Sequence, residues 1–230
     1  MKIHIFYSHY NVSGKGQHKY RPDWFDYEKC FNNLLDTTTN HDVNIHVIMD
    51  GKIEDNWISK YKGRYTEHEI TTTHDIDSVT KSFYSVINKV DCDESDLIYV
   101  LENDYLHVNN WIDKVLELFK SFEGLTYVSL YDHADKYFLP MYDSLVSKIF
   151  TTLSHHWRTT PSTCGSYITT KRIFTEDYGT HIGNDIAIGD HYKWLWLNEN
   201  KHRSILTPIP GLSTHCMEGL LSPAIRWENI

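Results

Sequence analysis

The 230-residue sequence has few cysteines, and none of them is spaced for metal binding or redox chemistry. Its four cysteines are Cys30, Cys92, Cys164 and Cys216, and no two of them form a Cys-x-x-Cys motif. This spacing argues against a zinc knuckle and against a thioredoxin-like motif. We therefore expect reduced and mostly buried thiols in a cytoplasmic protein.

Long apolar runs are also absent. No run approaches the roughly 20 residues that a helix needs to cross a bilayer. Residues 1–8 are too short and too alternating in polarity for a signal peptide. Internal repeats, low-complexity tracts and linkers rich in proline, glycine or serine are missing as well. We expect one domain over residues 1–230, without a transmembrane segment, in the compartment where the chain is made.

Basic residues are the minority among the charged ones. Lysine and arginine number 22 against 31 acidic residues, which gives a formal net charge of -9. This balance argues against a nucleic acid as the main partner, because such proteins need positive charge for the phosphate backbone. A small anionic ligand remains compatible with it, since a bound cation can reverse the local field.

Strand and helix patterns alternate through the first half of the chain. Apolar strand patterns lie at residues 3–7, 43–49, 97–101 and 125–130, and helical patterns lie at 22–35, 79–90 and 111–122. Asp23 and Asp75 stand in front of the first two helices, where they can act as caps. The alternation predicts an α/β fold with a mainly parallel sheet flanked by helices.

The second half is less regular, and a boundary near residue 135 separates it from the first. We predict a short helix over 141–150, a loop over 151–163, a strand over 165–169 and an aromatic helix over 190–198. An irregular tail follows. Late irregular segments of this kind often cover the edge of a sheet and form a substrate lobe.

The stretch 96–104 carries the strongest chemical signal. Its apolar strand ends abruptly in Glu102, Asn103 and Asp104. Carboxylates at the end of a buried strand reach the edge where ligands of open α/β sheets bind, and they suit a hard divalent cation. The alternative is a solvated loop or a helix cap.

Polar residues also follow the first two strands. The first strand leads into Ser8-His9-Tyr10-Asn11, a position that suits a nucleotide or a phosphate. The glycines that follow form neither a P-loop nor a GxGxxG motif. Asp50 ends the second strand, where its carboxylate can accept a hydrogen bond from a base or a ribose, or can simply belong to a turn.

Two later residues are candidates for the chemistry itself. His215 lies in the irregular tail, and one imidazole added to Asp104 would make a mixed oxygen and nitrogen site that suits manganese. Asp190 precedes the aromatic helix, where it can cap the helix or act as a general base on a hydroxyl group.

Taken in order, these residues resemble the nucleotide-sugar-dependent glycosyltransferases of the GT-A fold, in particular the family-2-like members. The ordered set is Ser8-His9-Tyr10-Asn11, Asp50, Glu102-Asn103-Asp104, Cys164-Gly165-Ser166-Tyr167, Gly189-Asp190-His191 and His215. The resemblance implies a single GT-A-like, Rossmann-type domain with an irregular C-terminal acceptor lobe. Residues 1–135 would bind the nucleotide sugar, and residues 136–230 would bind the acceptor.

The resemblance also implies roles for individual residues. Glu102-Asn103-Asp104 resembles the DxD motif, so Asp104 would bind Mn²⁺ or Mg²⁺ on the donor diphosphate and His215 would be a late metal ligand. The expected donor-binding residues are Ser8, Tyr10, Asn11, Asp50, Glu102, Asn103 and Arg158, with Arg158 facing the diphosphate. Asp190 would be the base that activates the acceptor. Gly189 stands where many members have an acid, which leaves Asp185 as a substitute for that base.

The expected activity is the metal-dependent transfer of a sugar from a UDP-sugar to a hydroxyl group of a carbohydrate or glycoconjugate, with inversion. A retaining enzyme would also need Asp104 but could leave Asp190 as a cap. A nucleotidyltransferase acting on a sugar phosphate is one alternative, although its usual glycine-rich basic loop is represented here only by Lys15 and Lys19. A non-catalytic carbohydrate-binding domain is another, and it would not need Asp104 and Asp190 together.

Overall fold

The computed structural model describes residues 1–9 and 20–230, and Tyr10 and Asn11 lie outside these ranges. Its strands are β1 (Ile3–His9), β2 (Val43–Asp50), β3 (Thr66–Ile70), β4 (Leu97–Glu102), β5 (Tyr105–His107), β6 (Tyr127–Val128), β7 (Ile149–Thr151), β8 (His156–Thr160), β9 (Tyr167–Thr170), β10 (Ile205–Ile209) and β11 (Ser213–His215). Its α-helices are α1 (Tyr27–Thr38), α2 (Ile76–Lys89), α3 (Trp111–Ser121), α4 (Lys171–Glu176), α5 (Tyr178–His181) and α6 (Asp190–Lys201).

The large sheet has nine strands in the order β3-β2-β1-β4-β9-β6-β10-β8-β7, and β5 and β11 form a second, two-stranded sheet. Strands β3, β2, β1 and β4 are parallel, as predicted for the first half. Strand β9 is antiparallel to both of its neighbours, and so is β8. The predicted α/β class is therefore confirmed, with a sheet that is parallel in its first four strands and mixed beyond them.

Both faces of the sheet are buried, which explains why its inner strands are apolar at nearly every position. One core packs Ile5 of β1 and the other odd-numbered residues of that strand against α1 and α3. The second core packs Phe6 of β1, together with Ile98 and Val100 of β4, against α2, α4 and α6. Successive side chains of a strand point to opposite faces, so each strand serves both cores.

Helix α1 begins later than predicted. Its first residue is Tyr27, and the Asp26 side chain caps it by accepting a hydrogen bond from the backbone N of Lys29 at 2.9 Å. The predicted cap at Asp23 is wrong, because residues 22–25 form a turn closed by a backbone bond from Phe25 to Pro22. Asp75, one of the two acids that precede the predicted second helix, caps α2 by accepting a hydrogen bond from the backbone N of Ser78 at 2.9 Å. Within the described ranges, no helix combines the length and the apolar character that crossing a membrane requires.

Two predictions for the second half are wrong. Residues 141–150 do not form an α-helix, since a short 3-10 turn at Pro140–Tyr142 is followed by an irregular stretch and β7. The predicted loop at 151–163 contains β8, which pairs with β7 on one side and β10 on the other. Trp157 and the threonines of β8 favour a pleated strand, and this preference prevailed over the local polarity.

Candidate functional site

Three of the predicted donor-binding residues lie on one face at the carboxyl edge of the sheet. Ser8 is level with Ile48 of β2 and with Glu102 of β4 in the parallel register. Asp50 ends β2 two residues further on. By strand alternation Ser8, Asp50 and Glu102 point to the same side as Ile48, which belongs to the second core. The structure thus brings these three side chains to one rim.

The structure also brings Asp104 and His215 together. Strand β4 leads through a turn into β5, whose Tyr105 is paired with His215 of β11 in the antiparallel register. The Asp104 Oδ2 atom lies 3.1 Å from His215 Nε2. The backbone N of Cys216 donates to the Asp104 carbonyl oxygen at 2.8 Å. The small sheet formed by β5 and β11 is therefore what joins the acidic turn to the late histidine.

Arg21 completes this group, and the sequence analysis missed it. Its Nη2 donates to Asp104 Oδ2 at 2.6 Å, and its Nη1 donates to the Cys216 carbonyl oxygen at 2.7 Å. The guanidinium also lies over the Phe25 ring, 4.5 Å from its centroid. We call Arg21, Asp104 and His215 the Asp104 cluster. Burial disfavours the charge of Arg21, but the attraction and hydrogen bond of Asp104 outweigh it, so the pKa of Arg21 is raised.

Asp104 and His215 offer a carboxylate oxygen and an imidazole nitrogen, two ligand types that divalent ions accept. Two neighbouring ligands of an octahedral ion, each about 2.1 Å from it, are about 3 Å apart, and the Asp104–His215 distance of 3.1 Å matches this spacing. The Tyr105 ring stacks on the His215 ring with an interplanar angle of 9° and so fixes its orientation. No three His, Cys, Asp or Glu side chains of the described residues converge. An ion here would take its other ligands from water and substrate, as Mg²⁺ commonly does.

Gly165 leaves room for the Glu102 carboxylate. A Cβ atom on Gly165 would lie 3.1 Å from the Glu102 carboxyl carbon, so a larger residue would push the carboxylate away. The next residue, Ser166, accepts a hydrogen bond from the Glu102 backbone N at 3.2 Å. The glycine ahead of β9 therefore lets Glu102 lie closely against that strand.

The Cys164 thiol is affected by the charges of both Glu102 and Asp190. Burial raises the pKa of the Cys164 thiol to about 12, and the negative charges of Glu102 and Asp190 add to the effect. The Tyr105 hydroxyl lies 2.7 Å from the Cys164 sulfur. Asp190 is the first residue of α6, after the N-cap residue Gly189, and its side chain is half exposed. The predicted base thus lies at the start of α6 and is open to solvent.

Asp185, the substitute for that base, lies elsewhere. Its Oδ2 accepts a hydrogen bond from the Thr180 hydroxyl at 2.6 Å and is 3.9 Å from the Nζ of Lys201. Lys201 ends α6, whose first residue is Asp190. A rise of 1.5 Å per residue separates these two ends by about 16 Å. Asp185 therefore contacts the side chain that ends α6, whereas Asp190 begins this helix.

Arg158 has a protein partner. Its Nη2 lies 2.8 Å from Asp132 Oδ1, and both side chains are buried. The Tyr137 hydroxyl donates to Asp132 Oδ2 at 2.7 Å, and the Tyr137 ring covers the guanidinium at 5.5 Å. Asp132 follows β6, and the pair therefore ties β8 to the end of that strand. A contact between Arg158 and a diphosphate stays a prediction.

On the opposite flank of the rim, Asp50 and His9 have partners in the loops. Asp50 accepts from the Thr72 backbone N at 3.2 Å and from His74 Nδ1 at 2.8 Å. The His9 Nε2 atom lies 2.8 Å from Asn56 Oδ1.

Asn103 lies between the two flanks, and its carbonyl oxygen accepts a hydrogen bond from the Tyr7 hydroxyl at 3.3 Å. Its side-chain Nδ2 is buried without a partner among the described residues.

Two solved structures share this fold. One is CMP:2-keto-3-deoxy-manno-octonic acid synthetase complexed with CTP, with a TM-score of 0.54 and 12% identity over 92% of this chain and 92% of that chain. The other is GalNAc-T7 with UDP, GalNAc and Mn²⁺, with a TM-score of 0.60 and 12% identity over 95% of this chain and 45% of that chain. No protein-family model and no curated protein matches the sequence. At this identity the likeness establishes the mixed α/β fold with its large sheet.

Proposed function

We propose that the protein is a metal-dependent glycosyltransferase that moves a sugar from a UDP-sugar to a hydroxyl group of a carbohydrate or glycoconjugate. The observation that carries the proposal is the Asp104–His215 pair, whose atoms lie 3.1 Å apart beside the carboxyl edge of the sheet. The fold supports it, because one protein with this fold was solved with UDP, GalNAc and Mn²⁺ and another with CTP.

In this proposal the rim formed by Ser8, Asp50 and Glu102 binds the nucleoside part of the donor. Asp50 offers carboxylate oxygens to the donor groups of a base, and Glu102 is directed toward the ribose. Asp104 and His215 would hold Mn²⁺ or Mg²⁺. Such an ion stabilises the negative charge that develops on a departing diphosphate.

Asp190 serves the acceptor in the same proposal. Its half-exposed carboxylate can take the proton of an attacking hydroxyl group. Lys193, one turn later on α6, has its Nζ 3.8 Å from Asp190 Oδ1. A single base opposite the departing group gives inversion at the anomeric carbon. We expect Asp190→Asn to abolish transfer while donor binding is retained.

The direct test is nucleotide release from UDP-glucose, UDP-galactose, UDP-GalNAc and GDP-mannose, with and without Mn²⁺. We expect Mn²⁺-dependent release of UDP from one of the UDP-sugars. In Asp104→Asn this release should fall by about a hundredfold or more, as when one charge-stabilising group of an active site is removed. Asp113→Asn is the matched control, because Asp113 is an exposed residue of α3. Equal release by both variants would contradict the proposal.

A nucleotidyltransferase is the second candidate. It is favoured by the extent of the likeness to the CTP-bound synthetase, which covers 92% of both chains. Such an enzyme would release pyrophosphate from CTP or UTP when a sugar acid or a sugar phosphate is supplied. Pyrophosphate release without hydrolysis of any nucleotide sugar would favour this candidate. Sugar binding without any nucleotide release would instead indicate a non-catalytic domain.

A further inference from the structure

Arg21 holds the carboxylate to which the proposed metal ion would bind. Its Nη2 is 2.6 Å from Asp104 Oδ2, the same oxygen atom that faces His215. Asp104 is 2% exposed and the Arg21 side chain is 16% exposed, so water screens this ion pair only weakly. The positive charge of the cluster is therefore already supplied by the protein in the absence of a metal ion.

A divalent ion bound to Asp104 Oδ2 would compete with the guanidinium for this oxygen atom. An ion bound to this atom at about 2.1 Å would lie close to the Nη2 of Arg21. Two positive charges so close in a buried site repel each other strongly. Metal binding to Asp104 Oδ2 is therefore opposed by Arg21 and weakens its hold on the carboxylate.

We propose that Arg21 is an exchangeable cation, which neutralises Asp104 in the donor-free protein and moves to the donor diphosphate when the metal ion takes its place. This inference rests on the proposed function. The planar fork of a guanidinium matches phosphate oxygens as well as it matches a carboxylate, so the exchange retains its hydrogen bonds. Arg21 also follows the stretch 10–19, which includes the predicted nucleoside residues Tyr10 and Asn11.

The exchange couples two binding events. Metal ions bind weakly to the donor-free protein, because Arg21 competes for Asp104. A nucleoside diphosphate that attracts Arg21 releases the carboxylate and so tightens metal binding. Thermodynamic linkage requires the reverse as well, so the metal ion tightens binding of the nucleoside diphosphate by the same factor.

The test is the Mn²⁺ affinity of the nucleotide-free protein, measured from the electron paramagnetic resonance signal of free Mn²⁺. We expect Arg21→Gln, which removes the charge but retains an amide donor, to bind Mn²⁺ about tenfold more tightly than the wild type. Arg21→Lys retains the charge but loses the fork, and we expect a smaller gain of a few-fold. Arg172→Gln, an exposed arginine of α4, is the matched control and should leave the affinity unchanged.

The double variant Arg21→Gln with Asp104→Asn should lose the increase in Mn²⁺ affinity. This loss would assign the increase to the Asp104 cluster. Thermal denaturation checks that each variant is folded, and Arg21→Lys decides the matter if Arg21→Gln does not fold. Mn²⁺ affinity that is unchanged or weaker in both variants overturns the inference, and so does a failure of every folded variant to bind Mn²⁺. Metal-independent release of UDP from a UDP-sugar would overturn it while leaving glycosyl transfer intact, so the two proposals fail in different ways.

Discussion

The protein has two buried polar networks that deal with ionisable groups in opposite ways. The Asp104 cluster keeps its charges by pairing Arg21 with Asp104 at 2.6 Å. The other network is a row of histidines on three neighbouring strands, His4, His46 and His68, which we call the histidine chain. Its rings are joined nitrogen to nitrogen at 3.2 and 3.1 Å.

The histidine chain runs diagonally across β1, β2 and β3, on the face of the sheet that carries Phe6. Each neutral imidazole has one donor and one acceptor nitrogen, so three rings can be linked in a row without any charge. Burial and the neighbouring histidines lower the pKa of His46 to about 3. Burial also lowers the pKa values of His4 and His68. Burial thus disfavours the charged form of all three histidines.

The difference shows where this fold can perform chemistry. In β1, β2 and β3, burial favours the neutral form of the histidines, since a charge there would lose its hydration. Past the strand ends, loop residues provide a charged partner for a carboxylate, as Arg21 does for Asp104. A paired charge can exchange its partner for a ligand. In the proposed function, the carboxyl edge is therefore the reactive part of the sheet.

The largest effect is expected from breaking a second charged pair at the end of β6. Arg158→Met leaves the buried Asp132 carboxylate without its cation, and we expect the free energy of unfolding to fall by about 3–5 kcal/mol. Urea denaturation measures this loss. Arg172→Met, which removes an exposed arginine, should change it by less than about 0.5 kcal/mol. A stable Arg158→Met protein with weakened UDP binding would instead make Arg158 a donor-binding residue.

The histidine chain should contribute to the pH dependence of the free energy of unfolding. The pKa of His46 in the folded protein, about 3, lies below its ordinary value of 6.5. The stabilisation from its neutral form is therefore complete above pH 6.5 and is lost as the pH falls toward 3. Between pH 6.5 and 5 we expect His46 to account for a loss of about 1.5 kcal/mol. His46→Gln should remove this part of the slope in unfolding experiments, and an unaltered slope would refute the assignment.

The smallest effect concerns the charge that Asp190 exerts on Cys164. Because Asp190 helps to raise the pKa of this thiol, Asp190→Asn should lower that pKa and speed its alkylation by iodoacetamide about twofold at pH 9. Mass spectrometry of the Cys164 peptide measures the rate. Asp185→Asn is the matched control, since Asp185 lies toward the other end of α6. Equal rates in the two variants would place Asp190 away from Glu102 and Cys164.

The regular parts of the fold are predictable from local pattern. Strands β1, β2 and β4 are apolar runs with sharp ends, and α2 has a clear apolar stripe behind its cap at Asp75. Strand β3 escapes prediction because Thr-Glu-His-Glu-Ile is polar, as suits a strand at the exposed end of the sheet. Strand β8 escapes prediction because it is held in place by pairing with β7 and β10. Strand β10 is distant in the sequence, and β7 is too short to give a clear strand pattern.

Some residues of the candidate site can also be predicted from local sequence pattern, and others cannot. Carboxylates at strand ends, such as Asp50 and Glu102, can be found from the sequence, because a parallel sheet collects its carboxyl ends at one edge. Arg21 is separated from Asp104 by 83 positions, and no local signal marks it as a partner. The ion pair of Arg158 with Asp132 is equally invisible in the sequence. Long-range pairing depends on how the loops fold over the sheet.

A crystal grown with Mn²⁺ and UDP would test the central claim most directly, through the anomalous scattering of manganese. The account predicts a single strong peak about 2 Å from Asp104 Oδ2 and from His215 Nε2, with the Arg21 guanidinium moved to the diphosphate. A manganese peak distant from Asp104, beside an intact Arg21–Asp104 pair, would contradict it.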